Sequence, residues 1–164
     1  MLSCFSIFYN NIEGNIRESI GHLKGLSFFS VAANKLIGMV PSSLYNVSIS
    51  ILSIAKNQLS GTLPTNIAPT LPNLQQFLIG VYEFFGPIPH SLCNASLLQN
   101  FNIGENNLAG SVPNNLRNIL NLERLALGRN NLGRDLDFLT SLRNYSKLKM
   151  LDFDENQFEG VLPN

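Results

Sequence analysis

The chain has 164 residues, 11 basic against 11 acidic, with 45% apolar residues; this is enough for about one domain with a real core. The cancelled charge argues against a basic nucleic-acid binder and against attraction to an anionic membrane. Two cysteines, Cys4 and Cys93, and two histidines 68 positions apart, His22 and His90, supply neither a disulfide scaffold nor a zinc ligand set. No apolar run reaches the roughly 18 to 20 residues that cross a bilayer. Residues 1–9 are apolar but lack the basic start and small-residue cleavage site of a signal peptide. The chain also carries 22 Asn, many for a packed core, because each amide demands several partners.

An internal period accounts for those amides. Anchors stand at Asn10, Asn34, Asn57, Tyr82, Asn106, Asn130 and Asn156, at intervals of 24, 23, 25, 24, 24 and 26 residues. Each unit has apolar residues eight, five and three places before its anchor and two and six places after it. The first unit reads Leu2, Phe5, Ile7, Ile12 and Ile16, and the second Leu26, Phe29, Val31, Leu36 and Val40. The third reads Ile49, Leu52, Ile54, Leu59 and Leu63, and the fourth Leu74, Phe77, Ile79, Phe84 and Ile88. Then come Leu98, Phe101, Ile103, Leu108 and Val112, followed by Leu122, Leu125, Leu127, Leu132 and Leu136. The seventh closes the series with Leu148, Leu151, Phe153, Phe158 and Leu162, so all 35 places are apolar.

Residues five and three before the anchor share one face of a short strand. One such strand cannot bury that face alone, so neighbouring units stack about 4.8 Å apart over a continuous core. The anchor amide is expected to bond backbone groups of its own turn and of the next coil. Gly14, Gly38, Gly61, Gly86, Gly110 and Gly160, four after the anchor, mark a backbone at positive φ or in close approach. Pro41, Pro64, Pro89, Pro113 and Pro163 end the extended segment and start the return. The return carries one more inward residue, Ile20, Leu44, Ile67, Leu92 or Leu116, on a short helical or 3₁₀ stretch.

The strings from Leu26 to Pro41 and from Leu98 to Pro113 resemble the 24-residue plant-specific leucine-rich repeat. Finer features are Leu44-Tyr45-Asn46-Val47-Ser48, Leu71-Pro72-Asn73-Leu74-Gln75 and Asp135-Leu136-Asp137-Phe138-Leu139-Thr140-Ser141-Leu142. These are similar to ectodomains of plant receptor-like kinases in the subfamily of the rice blight-resistance and flagellin receptors. The resemblance implies a right-handed α/β solenoid of about seven units, a horseshoe with a parallel sheet on its concave face. It also implies a second short strand over the Gly-x-Ile-Pro segment.

Several positions depart from the pattern. A phenol at Tyr82 cannot copy the paired donor and acceptor of an amide, so either the ladder breaks there or a backbone shift turns the ring outward. Arg17 and Asp137 replace the expected Pro, and Gly133 falls one place early, so residues 133–142 are irregular. Residues 1–164 read as one repeat domain without the family's cysteine caps, which predicts a fragment or truncated product with exposed apolar ends.

No catalytic constellation is present: there is no Gly-rich phosphate loop with Lys, no His-Arg-Asp string and no Gly-x-Ser-x-Gly elbow. Asp152, Asp154 and Glu155 read as a solvated acidic face, because no Gly-containing calcium loop surrounds them. Binding is the better reading, with no cofactor. Outward strand positions four and two before each anchor include Phe8, Leu78, Asn102, Asp152 and Asp154, with small residues keeping the middle of the strip low. Lys56, Glu105, Arg124 and Arg129 flank it. The two arginines either clamp a ligand carboxylate or form exposed ion pairs with Glu105 or Asp154, worth about 0 to 1 kcal/mol. Sequons at Asn46, Asn94 and Asn144 fall 11 or 12 residues before their anchors, on one side of the coil away from the strip. Cys4 and Cys93 lie in the first and fifth units with three coils between them, too far for a disulfide.

The resemblance implies an extracellular recognition module of a receptor-like serine/threonine kinase, on the apoplastic face of the plasma membrane, in defence or peptide signalling. Its partners would be a microbial or endogenous peptide or protein and a co-receptor kinase, with no membrane contact by this segment. A soluble inhibitor of a secreted microbial wall hydrolase and a nonfunctional truncated product are the alternatives.

Overall fold

The computed structural model describes residues 1–81, 83–134 and 136–162, without the side chains of Arg134, Ser141 and Asn144. The readings of Tyr82 as an anchor, of Asp135 in the irregular segment and of Pro163 lie outside the described residues.

Two parallel sheets run the length of the stack, each seven-stranded among the described residues. The first joins Cys4–Ser6, Phe28–Ser30, Ile51–Ser53, Gln76–Leu78, Asn100–Asn102, Arg124–Ala126 and Met150–Asp152 in chain order. Its register pairs the residues five before successive anchors: Phe5 with Phe29, Phe29 with Leu52, Leu52 with Phe77, and so on to Leu151. The inward column is therefore one continuous row, with Phe5 stacked on Phe29 at 5.5 Å and Phe77 on Phe101 at 6.0 Å between ring centroids. In the five middle units the residues eight, five and three before the anchor and two after it are all buried. The end units are more open: Leu2 is 50% and Leu162 is 69% exposed.

The second sheet joins Glu13–Gly14, Lys35–Met39, Gln58–Gly61, Glu83–Gly86, Asn107–Gly110, Asn131–Arg134 and Gln157–Phe158. The resemblance places this strand on the Gly-x-Ile-Pro segment, but it lies earlier, starting one to three residues after the anchor position; it ends on the glycine or one residue past it, except for Gln157–Phe158, which ends two residues before Gly160. The cause is local. The glycines sit at φ values from 80° to 125°, which turns the chain out of the extended region, and the proline three residues on has no N–H to pair.

The return segments are 3₁₀ turns, Glu18–His22, Ser42–Asn46, His90–Asn94 and Asn114–Asn118, or single α turns, Ile67–Thr70 and Phe138–Ser141. Pro41, Pro89 and Pro113 open three of them with φ between −60° and −65°. Leu44, Ile67, Leu92 and Leu116 each bury one side chain in the core from this side. His22 and His90, read from sequence as turn residues, end and open such 3₁₀ turns.

The anchor amides bond in the direction opposite to expectation. Asn57 Nδ2 donates to Ile54 O at 3.0 Å and Ala55 O at 3.3 Å in its own turn, and to Val31 O at 3.0 Å in the preceding coil. Its Oδ1 accepts from the Leu36 N–H at 3.1 Å, again in the preceding coil. Asn34, Asn106, Asn130 and Asn156 repeat this set. The residue just before each anchor is the reason. Tyr9, Ala33, Lys56, Val81, Glu105, Arg129 and Glu155 all have φ between 45° and 70°, and this left-handed step turns the anchor back toward the coil already formed.

Candidate functional site

The outward face of the first sheet has three columns, because side chains alternate along each short strand. The sequence reading used the columns four and two before the anchor and missed the one six before it. That column runs Cys4, Phe28, Ile51, Gln76, Asn100, Arg124 and Met150. The same period-two rule, carried one step upstream, finds it.

The face changes character along the stack. Its first three units present Phe8 and the half-buried Phe28 and Ile51, with Ser30, Ala32, Ser53 and Ala55 between them. The middle units present Gln76, Leu78, Asn100 and Asn102. The last two present Arg124, Ala126, Met150, Asp152 and Asp154. A groove of about 270 Å³ follows the lower part, with Gly80, Gly104 and Gly128 as its floor and Asn102, Ala126 and Asp152 beside them. The glycines are tight as well as small: a Cβ on Gly104 would lie 3.1 Å from Gly128 O, and one on Gly80 2.8 Å from Asn102 Oδ1. Asn102 Oδ1 accepts from the Gly104 N–H at 3.1 Å, and Asp152 Oδ1 from the Asp154 N–H at 3.2 Å.

The charged residues are arranged unevenly. Arg129 lies between two carboxylates, its Nε 3.2 Å from Glu155 Oε1 and its Nη1 3.8 Å from Glu105 Oε2. Those neighbours hold the guanidinium above its ordinary range, Glu155 most and Glu105 next. The ion-pair alternative thus describes Arg129, with Glu155 in the place given to Asp154. Arg124, six before its anchor, is exposed and makes no ion pair among the described residues. Desolvation, then the hydrogen bond and charge of Asp152, raises the Asp154 carboxyl above the usual range. Among the described residues no group of three His, Cys, Asp or Glu side chains is placed to hold a metal ion. Lys56 stands exposed at the rim of the third unit.

Asn46 and Asn94 are exposed at the last residue of two 3₁₀ turns, on the return layer, and Ser48 and Ser96 of their sequons are exposed too. Asn144 ends the corresponding turn Leu142–Asn144, with its side chain outside the described residues. Cys93 is buried and Cys4 exposed, both as free thiols.

Solved structures match this architecture over almost its whole length. The ectodomain of the Arabidopsis receptor kinase HAESA, solved with an N-terminally extended IDA peptide hormone, aligns with 98% of the chain at a TM-score of 0.92 and 25% identity. A TDR receptor aligns at 0.89 with 26% identity, and PEPR1 in complex with AtPEP1 at 0.88 with 30% identity, each over 98% of the chain. The fold is a leucine-rich-repeat solenoid. The chain spans 27%, 28% and 22% of those three structures, about a quarter of each. No protein-family model matches it, and no curated protein does. The repeat coil takes up the described residues from end to end, so they hold no kinase domain. No helix among them is long and apolar enough to cross a membrane.

Proposed function

We propose that this chain is an extracellular ligand-recognition segment of a plant receptor-like serine/threonine kinase, one repeat domain over residues 1–164, and that its ligand lies across the concave strip. What supports this reading is the match to the HAESA ectodomain solved with the IDA peptide hormone, and to the PEPR1–AtPEP1 structure, together with an outward sheet face kept low by Gly80, Gly104 and Gly128. Phe8, Lys56, Leu78, Asn102, Glu105, Arg124, Arg129, Asp152 and Asp154 are the contact residues of this proposal. A co-receptor kinase and the apoplastic face of the plasma membrane belong to the same reading, as do a role in defence or peptide signalling and kinship with the blight-resistance and flagellin receptors. N-linked sugars at Asn46, Asn94 and Asn144 would stand on the return layer and leave the strip clear.

The test is a peptide array probed with the 164-residue chain and with a variant carrying Ala55→Arg and Asn102→Arg, which fills the strip without touching the core. Peptides bound by the parent chain are expected to be lost by the variant. Retention of the same peptides places the ligand elsewhere and removes the strip from the proposal.

A further inference from the structure

The concave face is graded, and the grading selects a ligand. Asp152 and Asp154 converge on one point: a Cβ on Gly128 would lie 2.8 Å from Asp152 Oδ1 and directly against Asp154 Oδ1. Across the last three units four carboxylates, Glu105, Asp152, Asp154 and Glu155, face two guanidinium groups, and Arg129 is already shared between two of those carboxylates. An arriving carboxylate meets a net negative surface there; an arriving cation meets two converging oxygens. At the other end Phe28 and Ile51 are paired neighbours in register, half-buried, and neither of their strands, Phe28–Ser30 and Ile51–Ser53, carries a charged residue. Four to five strand spacings of about 4.8 Å separate these apolar rows from the Met150–Asp152 strand, a gap that about six or seven extended residues span at about 3.3 Å each.

We infer that the ligand is an extended peptide with a Lys, Arg or free amine seated over Asp152 and Asp154, and apolar side chains about six or seven residues away on Phe28 and Ile51. The inference rests on the proposed use of the concave strip and adds the ligand's polarity and spacing. Charge complementarity decides the basic end. The apolar end adds contact area without a polar desolvation cost.

Fluorescence anisotropy with three labelled ten-residue synthetic peptides tests it. Each has two Leu at one end and a Gly/Ser spacer, and the far end is Lys, Gln or Glu. The Lys peptide is expected to bind the 164-residue chain at least tenfold more tightly than the Gln peptide. That ratio should collapse toward one in the Asp152→Asn, Asp154→Asn variant, whose near-isosteric surface changes leave the core intact. Tighter binding of the Glu peptide, or a ratio unchanged in the double variant, overturns the assigned polarity; if the binding is still abolished by Ala55→Arg with Asn102→Arg, the strip remains the ligand site. Absence of binding by all three peptides, or binding that survives the filled strip, overturns both proposals.

Discussion

A single amide holds two coils together at Asn34, Asn57, Asn106, Asn130 and Asn156. Asn57 is fully buried and carries four hydrogen bonds, three given and one taken. Changing it to Ala leaves the Leu36 N–H and the Val31 carbonyl without that partner in a region closed to water. Asn57→Ala should lower unfolding free energy by about 2 to 4 kcal/mol. Asn10→Ala should cost under about 1 kcal/mol, because Asn10 is exposed and donates only within its own turn, to Ile7 and Phe8. Urea denaturation of the two variants checks the contrast; equal losses would show that the amide's burial is not what matters.

Cys93 gives the residue scale a titration. Burial pushes its thiol up to about 11, so the folded protein keeps a proton that the unfolded chain releases near pH 9. The stability this contributes is complete below about pH 9 and is lost as pH rises toward about 11. Cys93→Ala should flatten that decline. In the native protein at pH 8 an aromatic disulfide reagent should modify Cys4 alone, with Cys93 reacting only after denaturant is added.

At the scale of the element, six coils carry two left-handed steps with different sequence visibility. The step four after the anchor falls on glycine in six units, so its positive φ could be read directly from composition. The step just before the anchor falls on Tyr, Ala, Lys, Val, Glu, Arg and Glu, residue types that carry no such signal; only the folded coil reveals it. The missed direction of the amide ladder follows from that hidden step. Gly38→Ala is strained at φ 80° and would also bring its Cβ within 3.3 Å of Asn15 Oδ1; a loss of about 1 to 2 kcal/mol in denaturant unfolding is expected. Val81 is the converse case, a β-branched residue at φ 70°. Val81→Asn should stabilise the fold by about 0.5 to 1 kcal/mol, and a destabilised variant would show that its side chain contributes packing that outweighs the strain.

Across the whole molecule, the core was legible because one template is repeated and every copy faces the same interior. The outward face of the first sheet was only partly legible. Its columns follow from alternation, but the side-chain pairings on it depend on long exposed groups such as Arg129, whose partners are set by neighbours one coil away on either side rather than by its own unit. The same nearest-neighbour logic governs how the stack comes apart. Each coil touches only the coils beside it, so stability is a sum of coil terms and interface terms. Asn106 fastens the fourth and fifth coils through Ile79 O and the Phe84 N–H. Asn106→Ala should therefore raise amide exchange first in Gln76–Leu78 and Asn100–Asn102, while Phe28–Ser30, two coils away, keeps most of its protection. Hydrogen exchange followed by mass spectrometry reads this out segment by segment. An equal loss of protection in all three strands would mean that the solenoid opens as one cooperative unit, and that coupling along the stack outruns the nearest neighbour.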